Sequence, residues 1–186
     1  WDQAYSIQQT SDGGFIVAGR TDSFGAGDWD VWVLKLDSSG GVTWQKTYGG
    51  YGDDYAYSVK QTSDGGYIVA GTTTSFGAGG FDAWVLKLDS AGVVSWQKTY
   101  GGSNYDEARS VQQTSDGGYI VAGTTDSFGA GSWDFWVLKL NSTGSVTWQK
   151  TYGGGGDDQA WSVQQTSDGG YIVAGYTRSF GAGDFD

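Results

Sequence analysis

The tetrapeptide Ser-Asp-Gly-Gly occurs at Ser11–Gly14, Ser63–Gly66, Ser115–Gly118 and Ser167–Gly170, each 52 residues after the last. Phe-Gly-Ala-Gly keeps the same step at Phe24, Phe76, Phe128 and Phe180, as does Trp-Gln-Lys-Thr-Tyr-Gly-Gly at Trp44, Trp96 and Trp148. The chain is one unit written three times (1–52, 53–104, 105–156), followed by the first 30 residues of a fourth (157–186). Unbroken repetition at this period predicts a propeller, a solenoid or an array, because each unit buries its apolar surface only against a neighbour.

Within the second unit, four short runs rich in β-branched and aromatic residues lie at 56–62, 67–72, 83–88 and 93–100, separated by Gly, Asp and Ser clusters. They read as antiparallel strands, here A to D. Helical periodicity and helix caps are absent from the pattern. Strand B is apolar on both sides, Tyr67 and Val69 against Ile68 and Ala70, so both faces should be covered. Strand C sets Trp84, Leu86 and Leu88 against Lys87, and strand D alternates Val94, Trp96, Lys98 and Tyr100 with polar residues. Burial that falls from B to D is the gradient of a propeller blade, whose last strand forms the rim. The expected fold is therefore all-β, a β-propeller of four-stranded antiparallel blades with about 3.5 blades in this chain. The competing β-solenoid normally repeats in roughly 20–30 residues.

At 186 residues, 38% of them apolar, the chain can bury a sizeable core. Its 34 glycines occupy fixed places in each unit and read as turn residues rather than linker. A net charge of −11 with ten dispersed Lys and Arg argues against nucleic acid as a partner. All acids but Glu107 are Asp, a turn former. No stretch approaches 18 consecutive apolar residues, so no membrane partner is expected, and no signal peptide is recognised. The lack of Cys removes disulfide and thiol chemistry. The lack of His removes the usual general base and the commonest transition-metal ligand. The chain opens in mid-repeat at Trp1 and contains no Met, as expected of a segment of a longer protein.

Leu36–Gln45, with its copies Leu88–Gln97 and Leu140–Gln149, resembles the Leu-Asp-x-x-Thr-Gly-x-x-x-Trp blade motif of quinoprotein-type propellers, with Ser39, Ala91 and Thr143 where that motif has Thr. The longer unit, Ser-Asp-Gly-Gly-Tyr-Ile-Val-Ala-Gly through Trp-Gln-Lys-Thr-Tyr-Gly-Gly, is similar to tandem β-propeller repeats of secreted and cell-surface proteins of bacteria and archaea. The resemblance implies a secreted or cell-surface location, and it implies that Trp44, Trp96 and Trp148 pack between adjacent blades. It carries no catalytic residue across.

Strand order A-B-C-D three times and then A-B leaves the last blade without C and D. A bare blade face exposes on the order of 600 Å² of apolar surface, worth about 15 kcal/mol as an upper bound. An uncovered strand B is also an edge open to pairing. The first partner expected is the chain itself, as a homo-oligomer, or else the missing blades of a longer chain. Two copies would supply a ring of about eight blades, two of them halves.

With this strand order the tight, nearly invariant A–B and C–D turns share one face of the disc. The D–A and B–C loops share the other, which carries most differences between copies. Positions that the fold does not dictate are free to contact a ligand. Two sets stand out there: Tyr5, Tyr57, Arg109 and Trp161 at one position, and Trp29, Phe81, Trp133 and Phe185 before an invariant Asp. Aromatic rings flanked by carboxylates suit sugar rings, so carbohydrate is the ligand class expected of this face. In the competing reading the Trp29 set fills gaps between blades. The first set is harder to fit into one core slot, because Tyr, Arg and Trp differ in shape.

Two acids recur in every copy: Asp2, Asp54, Asp106 and Asp158, and Asp30, Asp82, Asp134 and Asp186. Paired carboxylates serve in glycoside hydrolysis or hold Ca²⁺ in loops, and Asp also caps loop amides. Equivalent copies argue against catalysis, which needs carboxylates in unlike environments, and the spacing is not that of an EF-hand. These are therefore read as structural loop acids, with no cofactor and no metal beyond a loop Ca²⁺. Gly-Gly-x-Gly at Gly49–Gly52 and Gly153–Gly156 lacks the Lys and helix of a phosphate loop. Asn141-Ser142-Thr143 matches an N-glycosylation acceptor.

The expected function is a non-catalytic scaffold or recognition module. A lectin-like binder using Tyr57, Arg109 and Trp161 is the first alternative. A hydrolase or quinoprotein enzyme is disfavoured by the missing His and the repeated acids. The near-identity of the copies also fits a recent amplification, or a segment selected as a folding unit.

Overall fold

The computed structural model describes residues 1–181, so the expectations for Phe185 and Asp186 fall outside the described residues. Among the described residues the regular structure is fourteen β-strands with no helix. β1 (Asp2–Gln9), β2 (Phe15–Thr21), β3 (Asp30–Leu36) and β4 (Val42–Tyr48) pair antiparallel in chain order as the first blade. β5 (Asp54–Gln61), β6 (Tyr67–Thr73), β7 (Asp82–Leu88) and β8 (Val94–Tyr100) form the second. β9 (Asp106–Gln113), β10 (Tyr119–Thr125), β11 (Asp134–Leu140) and β12 (Val146–Tyr152) form the third. β13 (Asp158–Gln165) and β14 (Tyr171–Thr177) pair as half of a fourth. The chain is an incomplete β-propeller, with its sheets not closed into a ring. Strands A and C start slightly before the runs read from sequence, so the repeated acids Asp54 and Asp82 are strand residues rather than loop residues.

Successive blades bury a core between their faces. Ile16, Ala18 and Val33 of the first blade meet Val59, Tyr67 and Leu86 of the second. Ile68, Ala70 and Val85 then meet Val111, Tyr119 and Leu138. Each fully buried side chain of this size contributes roughly 1.5–3 kcal/mol, so these boundaries are where the stability lies. The third boundary, which faces only half a blade, has a smaller core around Ile120, Val137 and Val163.

Strand C departs from the expected polar face. β7 is buried along its whole length, including Lys87, whose ammonium reaches Asp64 in the A–B turn at 2.9 Å and the Leu88 carbonyl at 2.9 Å. Lys35 and Lys139 repeat the contact, with Asp12 and Asp116 respectively, at 2.9 Å each. The apolar stem is buried and the charge is paired, which removes the penalty of burying it alone. Burial pushes the Asp64 carboxyl up, but the Thr62 hydroxyl, Lys87 and the Gly66 amide outweigh it and hold it down at about 2.

The rim strand also reaches the next blade. Trp44 meets Tyr67 edge to face at 5.9 Å and donates its indole N–H to the Ser90 carbonyl at 3.2 Å. Trp96 meets Tyr119 at 5.7 Å, and Trp148 meets Tyr171 at 5.9 Å.

Candidate binding site at the inner end of the loop-rich face

The A strands of successive blades lie side by side along the inner edge of the disc. Each carries one residue with no partner in the register against strand B: Tyr5, Tyr57, Arg109 and Trp161. Such a bulge re-aims the unpaired side chain. The close approach it brings leaves no room for a side chain on strand B, since a Cβ on Gly71 would stand 1.8 Å from the Tyr55 carbonyl oxygen. The four bulge residues touch one another in series. Tyr5 and Tyr57 meet edge to face at 5.8 Å, and the Arg109 guanidinium lies 4.5 Å over Tyr57 and 4.7 Å over Trp161.

Charge is arranged around this series. Arg109 pairs through Nε with Glu107, whose other oxygen accepts the Tyr105 hydroxyl at 2.5 Å. Glu107 is only 3% exposed, so the pair is an internal one. Burial, and then the Glu107 charge, pushes the Tyr57 and Tyr105 phenols well above their ordinary range, so both remain hydrogen-bond donors. Arg20, on strand B of the first blade, lies 4.2 Å over Trp29 and 4.6 Å over Tyr55, with Nε on Gln3 at 3.0 Å.

Trp29, Phe81 and Trp133 do not stand as separate platforms. Trp29 meets Tyr55 at 6.5 Å, Tyr55 stacks on Phe81 at 5.8 Å, and Tyr105 lies 4.8 Å from both Phe81 and Trp133. They form an arc in which each ring covers its neighbour. Among the four bulge residues, open aromatic surface remains on Tyr5 and Trp161, 45% and 51% exposed.

The repeated acids tie loops together. Asp54 accepts the Thr73 hydroxyl on one oxygen, and the Ser75 hydroxyl at 2.7 Å and the Gly50 amide at 2.9 Å on the other. Its own amide donates to the Trp29 carbonyl of the preceding blade at 2.7 Å. Asp106 and Asp158 repeat the set with Ser127 and Gly102, and with Ser179 and Gly154. Asp2 is held by Thr21 and Ser23. The second acid of each unit closes the B–C loop: Asp30 accepts the Ala26 amide at 2.9 Å, Asp82 that of Ala78 at 2.9 Å, and Asp134 that of Ala130 at 3.0 Å. Burial pushes the Asp30 and Asp82 carboxyls up against the pull of these amides, and the charges of Asp54 and Asp106 add to the rise. Among the described residues no three acidic side chains gather closely enough to hold a metal ion.

A cavity of about 530 Å³ opens at the other end of the A strands, lined by Gln8, Lys60, Gln61, Ser110, Gln112 and Gln164 among others. Residue-by-residue reading missed Arg20, Gln3, Tyr55, Tyr105 and Glu107. The available signal was variation between copies: Gln3, Tyr55, Glu107 and Gln159 share one position, and Arg20, Thr72, Thr124 and Tyr176 another.

No family model matches the chain. It is 27% identical over 197 residues to the Regulatory protein FlaEY of Caulobacter vibrioides, a match spanning 97% of this chain and 19% of that protein. A protein of unknown function from Bacteroides caccae superposes with a TM-score of 0.58 at 14% identity, over 93% of this chain and 53% of that one. Sqt1 from Chaetomium thermophilum superposes with a TM-score of 0.48 at 14% identity, over 90% of this chain and 39% of that one. The Bacteroides likeness is one of fold.

Proposed function

We propose that the chain is a non-catalytic β-propeller scaffold and recognition module that meets its ligand at the inner end of the loop-rich face. One observation carries this reading. At four equivalent bulge positions, where the fold asks only for an unpaired residue, the copies hold Tyr5, Tyr57, Arg109 and Trp161, and these touch in series. The uniform use of Asp54, Asp106 and Asp158 as hydrogen-bond acceptors supports a structural role for the acids rather than acid–base work. The similarity to tandem propeller repeats of secreted and surface proteins supports a location outside the cell.

Carbohydrate is the favoured ligand class, because the open faces of Tyr5 and Trp161 stand beside polar groups able to serve sugar hydroxyls. A glycan array read with the wild type and with Tyr5→Ala and Trp161→Ala tests it. Signal lost in both variants supports the reading; an array without hits, or signal unchanged in both, contradicts it. The uncovered end blades support a further role for self-association, in which a second copy of the chain extends the ring.

A further inference from the structure

We propose that the guanidinium of Arg20 seats a carboxylate of the ligand, so that this face selects an acidic saccharide over a neutral one. The proposal rests on the recognition reading above and names the chemistry of that site.

An arginine packed against aromatic rings occurs twice in the molecule, once at a strand A bulge and once on strand B, and the two use different acceptors for Nε. Arg109 lies between the rings of Tyr57 and Trp161 and turns Nε to the carboxylate of Glu107. Arg20 packs against the rings of Trp29 and Tyr55 and turns Nε to the side-chain oxygen of Gln3. Gln3 and Glu107 are equivalent residues, two units apart. Where the third blade closes its stacked guanidinium with an acid, the first offers a neutral amide, whose oxygen also accepts the Tyr5 hydroxyl at 2.6 Å.

Trp29 and Tyr55, set at 71° to each other, both lie against the Arg20 guanidinium, with Tyr5 further off at 5.8 Å, and Gln3 takes its Nε. A guanidinium held this way presents its remaining in-plane N–H groups as a fixed fork, which matches a carboxylate. The Tyr55 hydroxyl bonds to Arg20 and to Asp53, but no carboxylate among the described residues forms an ion pair with Arg20. The other two arginines, Arg109 and Arg178, are each ion-paired, with Glu107 and Asp157. The site lies between the first and second blades, a boundary complete within the chain. The Gln3 amide and the Tyr5 hydroxyl beside it both donate and accept, as sugar hydroxyls require, which favours a saccharide over an acidic peptide as the carrier of the carboxylate.

The test uses the full chain, ¹⁵N-labelled, with the arginine Nε–H resonances followed during titration with trigalacturonate, galactotriose and tetraglutamate. Trigalacturonate is expected to shift the Arg20 resonance and to bind roughly tenfold more tightly than galactotriose, the gain of a charge-assisted hydrogen bond. Arg20→Gln should bring that ratio to about one. Gln3→Glu, which supplies in the first blade the acid that Glu107 supplies in the third, should do the same. It keeps Arg20 in place and so remains informative if Arg20→Gln does not fold. Equal affinity for the two sugars, or a preference that survives both variants, overturns this inference and leaves the recognition reading standing. Failure of both sugars to bind overturns the two together. Tighter binding of tetraglutamate than of trigalacturonate overturns the choice of a saccharide.

Discussion

Ile7 and Ile172 stand at opposite ends of the partial ring, 63% and 60% exposed, while their counterparts Val59 and Ile68 in the second blade are fully buried. Ile7 belongs to the face that each blade turns back towards its predecessor, and Ile172 to the face turned towards its successor. The internal boundaries show what covers each kind of face: a blade of this same sequence. The contact is head to tail, and in propellers it ends when the ring closes.

A preparation of these 186 residues should therefore self-associate. Light scattering is expected to give a particle heavier than the 19.7 kDa chain, and Ile7→Lys or Ile172→Lys should return it towards the monomer. A wild type that stays monomeric at all concentrations contradicts the prediction.

Asp54 is read as a clamp between the D–A and B–C loops. Asp54→Asn keeps the shape but turns an N–H₂ group towards the donors of Thr73, Ser75 or Gly50. A loss of about 2–3 kcal/mol in urea unfolding is expected, because a buried donor is left without an acceptor. An Asp54→Asn variant as stable as the wild type, with a hydrolytic activity abolished, would place the acid in catalysis instead.

Much of the fold was legible because strand B and the turn residues repeat a pattern that local chemistry alone explains. Tyr67–Thr73 is apolar on both sides and is buried on both sides. Lys87 is the exception: period-two alternation assigns it to the water, whereas its stem lies along the blade and its charge meets Asp64. The site was half legible. Position 5 announced itself by reading Tyr, Tyr, Arg and Trp in otherwise copied units, but the bulge behind it breaks the alternation and follows from pairing with strand B. That Trp29 and Phe81 cover Tyr55 depends on how blades meet, which the spacing within one unit does not encode.

Acid should act on the A–B turns. The folded-state carboxyl of Asp64 sits at about 2 against an ordinary 3.8, and Asp12 and Asp116 are held down by the hydroxyls of Thr10 and Thr114 and by Lys35 and Lys139. A depressed carboxyl contributes stability that is present above its unfolded value and lost as pH falls through the folded one, here from about pH 4 to about pH 2. Asp30 and Asp82, pushed up by burial, act in the opposite sense, favouring the fold as pH falls towards about 4. Lys87→Met isolates the turn: its melting temperature should fall less than that of the wild type across the lower window. An equal fall contradicts the assignment.

The most direct measurement asks whether departures from the repeat, and not the repeat itself, make the binding surface. The triple variant Glu107→Gln, Arg109→Tyr, Trp161→Tyr gives the third and fourth units residues that the first already carries as Gln3 and Tyr5. Its melting temperature should stay close to that of the wild type, while its glycan-array signal falls about tenfold or more, as loss of central contact residues does. A variant that keeps the signal would contradict the account.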